Sequence, residues 1–211
     1  ILAECRELIA KGAREITLLG QNVNSYGKDL AEGMDFADLL KEIAALEGDF
    51  LVRFMTSHPR DASVKLFDTM AASPKIAKQL HLPFQSGSSR VLKAMNRHYD
   101  RETYLEKVNY AKSVMPDLVL TSDVIVGFPG ETEEEFEETI SLIQEVHYDS
   151  LFTFIFSPRT GTPAASMEDN PPKEEKNRRF DKLCAVQNAI SEEIHQHYVG
   201  KTMRCLVDGK D

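Results

Sequence analysis

Leu118-Val119-Leu120-Thr121-Ser122-Asp123-Val124-Ile125-Val126-Gly127-Phe128-Pro129-Gly130-Glu131-Thr132 reads as one structural unit. A β-branched apolar run of strand length breaks at Gly-Phe-Pro-Gly, a turn signal. Thr132, with Glu135 three residues on, then carries a capping-box signature, and Phe136, Ile140, Ile143 and Val146 form one apolar stripe at helical spacing. Strand, turn and helix in this order make half of a β-α-β unit. The unit recurs on both sides. Strands are expected at residues 15–20, 51–55, 79–84, 118–127 and 150–156. Helices are expected at 35–47, 62–72, 88–96, 101–115 and 131–147, the first stopped by Gly48. Regular alternation implies parallel strands joined by right-handed crossovers, in either a doubly wound open sheet or a (β/α) barrel. Periodicity leaves the two open, but both place ligands at the carboxyl ends of the strands.

At the chain's start, Ile1-Leu2-Ala3-Glu4 reads as part of an amphipathic helix. Residues 158–172 are rich in Pro, Thr, Gly and Ser and read as a loop. Residues 173–198 read as one long charged helix ended by Gly200, and 201–208 alternate as a strand would. The expected organisation is a barrel over 1–172, a closing helix over 173–200, and the start of a further domain over 201–211.

Composition bounds the function. With 211 residues, 42% hydrophobic, the chain can bury a sizeable core, and no apolar run approaches the roughly 20 residues that cross a bilayer. No membrane role is expected. A net charge of -9 argues against a free-standing nucleic-acid-binding module, which needs clustered Lys and Arg. Cys5, Cys184 and Cys205 are too far apart for a zinc site or a redox pair. They read as small apolar residues in a reducing, cytoplasmic protein. P-loop, G-x-S-x-G, H-E-x-x-H and post-strand G-x-G-x-x-G motifs are absent, which removes the common hydrolase and dinucleotide readings.

The candidate site residues follow the expected strands. Gln21, Asn22 and Asn24 offer amides that both donate and accept, suiting a zwitterionic ligand, though Asn also makes turns. Ser57 and His58 follow the second strand, and His58 is either an acid-base group or a loop residue. Gln85 and Ser86 follow the third, ahead of Ser88 or Ser89 as the cap of the next helix. Asp123 lies in an apolar strand, where either ribose hydroxyls or a structural bond would satisfy it. Phe156 ends the fifth strand, where its ring would flank an adenine or fill the core.

In order, Gly20-Gln21-Asn22-Val23-Asn24-Ser25-Tyr26-Gly27, Thr56-Ser57-His58-Pro59, His81-Leu82-Pro83-Phe84-Gln85-Ser86-Gly87-Ser88, Met95-Asn96-Arg97, Asp123 to Thr132 and Ser157-Pro158-Arg159-Thr160-Gly161-Thr162 resemble the blocks of the radical-SAM methylthiotransferase family. The first two are most similar to the branch that makes 2-methylthio-N6-isopentenyladenosine beside the tRNA anticodon. The resemblance implies a partial (β/α) barrel of TIM-like type with the family's first strand missing, and a following RNA-binding domain of TRAM type beginning near Lys201. It implies S-adenosylmethionine as radical source and methyl donor, two 4Fe-4S clusters in the whole protein, tRNA as partner, and an electron donor such as flavodoxin or ferredoxin. It also implies roles. Gln21, Asn22 and Asn24 would face the methionyl end, Ser57, His58, Gln85 and Ser86 would line the cavity, Asp123 would reach the ribose, and Phe156 would lie by the adenine. The family's C-x-x-x-C-x-x-C does not occur in these residues. Thiolates at that spacing hold the radical cluster, so the chain alone is expected to be inactive. Two readings stay open beside this one: a sister enzyme acting on threonylcarbamoyl-adenosine in tRNA, and a scaffold without catalysis.

Overall fold

The computed structural model describes residues 1–30, 33–55, 57–168 and 171–207. Five strands are present: β1 (Glu15–Leu18), β2 (Leu51–Phe54), β3 (Gln79–His81), β4 (Val119–Val126) and β5 (Ser150–Ile155). All pair in parallel, β1 with β2, and β4 between β3 and β5. The two groups join where Val52 N donates to Lys75 O at 2.8 Å and Ala77 N donates to Val52 O at 3.0 Å. Spatial order thus equals chain order, as in a barrel wall; a doubly wound sheet reverses its order at a switch point.

Helices cover one face of that wall. Along β4 the side chains of Leu120, Ser122, Val124 and Val126 are buried while Thr121, Asp123 and Ile125 on the other face are only half-buried. The buried face packs on α2 (Phe36–Ala44), α3 (Val64–Ala72), α5 (Arg101–Val114) and α6 (Glu133–Val146), through fully enclosed Leu40, Ile43, Met70, Tyr104 and Phe136. Each such side chain contributes about 1.5–3 kcal/mol over its exposed state. The opposite face keeps Leu19, Phe152 and Phe154 exposed. One covered and one open face define a partial barrel, its concave side available to a ligand.

Local chemistry sets the element ends. Asp35 and Asp38 form a reciprocal capping box on α2, and Thr132 and Glu135 form the expected one on α6. β1 stops at Leu18 rather than at residue 20, and α2 stops at Ala44, before the expected 47. α3 starts at Val64, two residues late, because Pro59–Asp61 forms a 3-10 turn and Ser63 caps the helix. α4 (Ser89–Ala94) is shorter than expected. The expected helix at the start is α1 (Leu2–Ala10), and the long charged helix is α7 (Lys173–Gln196), laid against β5 and α6. Residues 201–207 form no strand; alternation alone cannot hold a strand that has no neighbour to pair with. Asp208 lies outside the described residues. No helix among the described residues is long and apolar enough to cross a membrane.

Candidate cofactor-binding site

The loops after β1 and β2 are clamped together by one amide. Asn24 Nδ2 donates to His58 O at 3.0 Å, and His58 N donates to Asn24 Oδ1 at 3.0 Å. Beside this clamp, Asp61 accepts from Asn22 Nδ2 at 2.9 Å, Ser25 Oγ at 2.6 Å and Lys28 Nζ at 2.6 Å. Burial opposes its charge, but these donors and Arg60 outweigh it and hold the carboxyl well below the usual range. His58 Nδ1 accepts from Arg60 N at 3.2 Å, which caps the 3-10 turn and leaves Nε2 as the proton-bearing nitrogen. Burial, with the charges of Arg97 and Arg60, lowers the His58 pKa. The neutral imidazole is therefore a structural cap here. Gln21 is exposed, and Thr56 lies outside the described residues.

The loop after β3 is fixed from behind by hydroxyls. Ser122 Oγ accepts from Phe84 N at 2.9 Å and donates to Leu82 O at 2.8 Å. Tyr104 OH donates to Leu82 O at 2.9 Å, and Tyr99 OH to Pro83 O at 3.1 Å. Burial pushes the Tyr99 phenol up to about 12. These bonds carry the chain into Gln85, which adopts φ 68°, a left-handed conformation rare for Gln. Gln85 N donates to Asp123 O at 2.9 Å, and Ile125 N donates to Gln85 O at 2.9 Å, so strain at Gln85 sits beside Asp123. Ser86 faces the other way: its Oγ lies 3.5 Å from Thr139 Oγ1 and accepts from Ser88 N at 3.2 Å. The serine cap expected on the next helix is absent. Ser88 Oγ instead reaches Glu135 at 3.5 Å, and Ser89 Oγ accepts from Arg101 N at 3.0 Å, because the helix is too short to outcompete these tertiary partners.

On the open face, His81 links β3 to β4. Its Nδ1 is 3.0 Å from Thr121 Oγ1 and its Nε2 is 3.4 Å from Asp123 Oδ1. Sequence reasoning missed His81. The only signal was its place in the third strand, since its partners arrive through strand register. Across the mouth, Phe156 packs edge-on against Phe128 at 5.2 Å between centroids, with Lys176 Nζ 5.5 Å above its ring. Arg179 Nη1 donates to Glu131 O at 3.0 Å, which ties α7 to the turn after β4.

Asn22, Asn24, Ser57 and His58 thus share one loop cluster, and Gln85 and Asp123 a second; Gln21 is exposed, and the Ser86 hydroxyl turns toward Thr139. Buried polar atoms without a hydrogen-bond partner among the described residues include Asn22 Oδ1 and Ser57 Oγ, in the loops after β1 and β2, and Arg97 Nε, after α4. Orphaned acceptors and donors at strand ends fit a polar ligand such as S-adenosylmethionine. An iron-sulfur cluster is not fitted by the residues present. Cys5 is buried, Cys184 sits 3.7 Å from Thr153 Oγ1 and Cys205 is exposed. Among the described residues no three His, Cys, Asp or Glu side chains gather to hold a metal.

Comparison with known proteins agrees with this geometry. The chain is 54% identical over 209 residues to a protein of Clostridium botulinum strain Hall named tRNA-2-methylthio-N(6)-dimethylallyladenosine synthase, covering 99% of this chain and 46% of that protein. A Desulfitobacterium hafniense protein of the same name is also 54% identical, over 99% of this chain and 47% of its own length. The chain thus spans about half the length of the curated relatives it matches. Among solved structures, coproporphyrinogen III oxidase of Escherichia coli, described as a radical SAM enzyme, superimposes with TM-score 0.64 at 18% identity, over 90% of this chain and 45% of that one. That likeness concerns the fold. The model of the Radical SAM superfamily matches residues 1–143, from α1 into α6 and through the loops after β1, β2, β3 and β4, and on that extent the chain belongs to the Radical SAM superfamily.

Proposed function

We propose that this chain is the main part of the catalytic barrel of a tRNA methylthiotransferase, which adds a methylthio group at C2 of N6-isopentenyladenosine beside the anticodon. The 54% identity to relatives bearing that enzyme's name carries the reading, because it runs over 99% of the chain and through every strand-end loop. S-adenosylmethionine supplies, when bound, the radical that opens the adenosine C2–H bond and, from a further molecule, the methyl group. Two 4Fe-4S clusters and an electron donor such as flavodoxin or ferredoxin complete the proposed cytoplasmic enzyme. These residues contribute neither C-x-x-x-C-x-x-C nor clustered cysteines.

This chain's own residues bind and orient. In the proposed pocket Gln21 and Asn22 meet the methionyl end, with Asn24 holding their loop. Ser57, His58 and Gln85 line the cavity, Ser86 braces Gln85 from behind, Asp123 accepts from the ribose hydroxyls, and Phe156 flanks the adenine. Residues 1–172 and the helix over 173–200 form the barrel unit, and 201–211 open an RNA-binding domain.

Calorimetry on the full-length enzyme tests the pocket. Asp123→Ala and Asn22→Ala should each weaken S-adenosylmethionine binding about 10-fold, the scale of about 1.4 kcal/mol for a lost charged or buried hydrogen bond. Unchanged affinity in both overturns these assignments. Nucleoside analysis of tRNA separately tests the reaction, and loss of the methylthio product on deleting the gene is the expected result.

A further inference from the structure

On the concave face of the barrel, β5 presents two aromatic rings with little cover. Phe152 and Phe154 are each 52% exposed, while the alternating Leu151, Thr153 and Ile155 turn toward α7. Phe152 stands in register with Asp123, and Phe154 with Ile125. The His81 ring meets Phe152 edge-on, with centroids 5.7 Å apart and planes at 76°. His81 is itself held at both nitrogens, by Thr121 and Asp123. The wall therefore combines two flat apolar surfaces, about 7 Å apart as alternate strand residues are, with a carboxylate and hydroxyl alongside.

The charge of this wall selects its occupant. Of the cations around this face, Arg53 is engaged by Glu15 Oε2 at 2.8 Å and by Gln79 Oε1, and Lys176 Nζ stands over the Phe156 ring at the end of the strand. The Asp123 carboxylate repels anions and accepts N–H donors. An uncharged planar heteroaromatic with N–H groups on its edge satisfies both the rings and the carboxylate; a phosphate satisfies neither. We propose that Phe152 and Phe154 form a stacking platform for a purine base inside the barrel, with Asp123 and its His81 buttress at the base's polar edge. This rests on the tRNA reading above for the base's source, the adenine to be modified. The cofactor's own adenine belongs to Phe156, at the end of the strand.

The chain contains no Trp, so Phe154→Trp introduces a single indole reporter on the platform. Titration of that variant with N6-dimethylallyladenosine should quench its fluorescence saturably. Adding Phe152→Ala should weaken binding at least about 5-fold, the lower end of what one aromatic stack contributes. S-adenosylhomocysteine at saturation, whose ribose would share Asp123, should weaken the titration at most a few-fold and not abolish it. No quenching, indifference to Phe152→Ala, or full competition by S-adenosylhomocysteine each overturns the proposal. Should the indole itself block the wall, saturation-transfer NMR of the same nucleoside with the unsubstituted chain and with Phe152→Ala/Phe154→Ala makes the same comparison, and equal transfer in both overturns it. Nucleoside binding here alongside a full-length enzyme that leaves tRNA unmodified would sink the methylthiolation reading alone. Methylthiolation at unchanged KM in Phe152→Ala/Phe154→Ala would sink the platform alone.

Discussion

Arg179 of α7 and Glu131 of the turn after β4 form a buried ion pair, with Nη1 3.1 Å from Oε2 and the side chains 5% and 1% exposed. Glu131 Oε2 also accepts from Gly127 N at 2.8 Å, so one carboxylate joins the turn to the long helix. Burial pushes the Glu131 carboxyl up, against the pull of Gly127 N–H and Arg179. A buried pair of this kind contributes little net stability over apolar residues, but breaking it strands a charge. Arg179→Leu should cost about 3–5 kcal/mol. Adding Glu131→Gln should recover part of that loss, because the amide oxygen still serves Gly127 and no unpaired charge remains. Urea midpoints for the two variants check this. A single variant within about 1 kcal/mol of the parent would show that α7 is held by other contacts.

Asp61 gives the loops after β1 and β2 a pH dependence. Its folded-state pKa is depressed, since Asn22, Ser25, Lys28 and Arg60 donate to the carboxylate and outweigh its burial. An unfolded Asp takes its proton near about pH 3.9, so this contribution is fully present above that value and is lost as pH falls further. Asp61→Asn should be less stable than the parent at pH 7, with the gap closing as pH drops to about 3. Other carboxylates titrate in both proteins and cancel in the difference. A gap that stays constant over that range would remove Asp61 from the acid response.

Local signals in the sequence were legible, and tertiary ones were not. Thr132 and Glu135 announce the start of α6 because a capping box is written in four consecutive residues. The alternation of strand and helix gave the parallel wall, but the choice between barrel and open sheet rests on which face is covered, which no single strand encodes. Strand ends were read too long at residues 19 and 20, since the apolar Leu19 continues the pattern although it is 76% exposed with no neighbour beyond Leu18. His81 escaped notice for the same reason: only the register of β3 on β4 puts it beside Thr121 and Asp123. Ser86 looked like a rim residue, and only the packing of α6 turns it toward Thr139.

Tyr104 and Tyr148 form a hydroxyl chain behind the loop that carries Gln85. Tyr148 OH donates to Tyr104 OH at 2.9 Å, and Tyr104 OH donates to Leu82 O, with both rings fully buried. Tyr104→Phe leaves the Tyr148 hydroxyl without its acceptor, at a cost of about 1–3 kcal/mol. Leu82 O keeps its bond from Ser122 Oγ at 2.8 Å. Tyr104→Phe/Tyr148→Phe should therefore be no less stable than Tyr104→Phe, as the stranded donor is gone. A double-mutant cycle in thermal unfolding reads the coupling, and simple additivity of two losses would contradict the chain.

Gly87 is where the Gln85 loop touches the backbone of α6. A Cβ built there would stand 2.4 Å from Thr139 Cα and 2.5 Å from Glu138 O, contacts with main chain that no rotamer change relieves. Gly87 N also donates to Thr139 Oγ1 at 2.8 Å, so the loop is held at the distance a side chain would violate. Gly130 makes a useful contrast: it has φ 74° but open space around it, so Gly130→Ala costs only the left-handed strain of about 1–2 kcal/mol. Gly87→Ala should cost at least as much, through overpacking of about 1–3 kcal/mol or more, and should also move Gln85. That displacement has its own readout. Ile125 N donates to Gln85 O at 2.9 Å, so Gly87→Ala should raise hydrogen exchange at Ile125 while Gly130→Ala leaves it near the parent rate. Equal protection of Ile125 in both variants would mean that the loop positions Gln85 independently of its seat on α6.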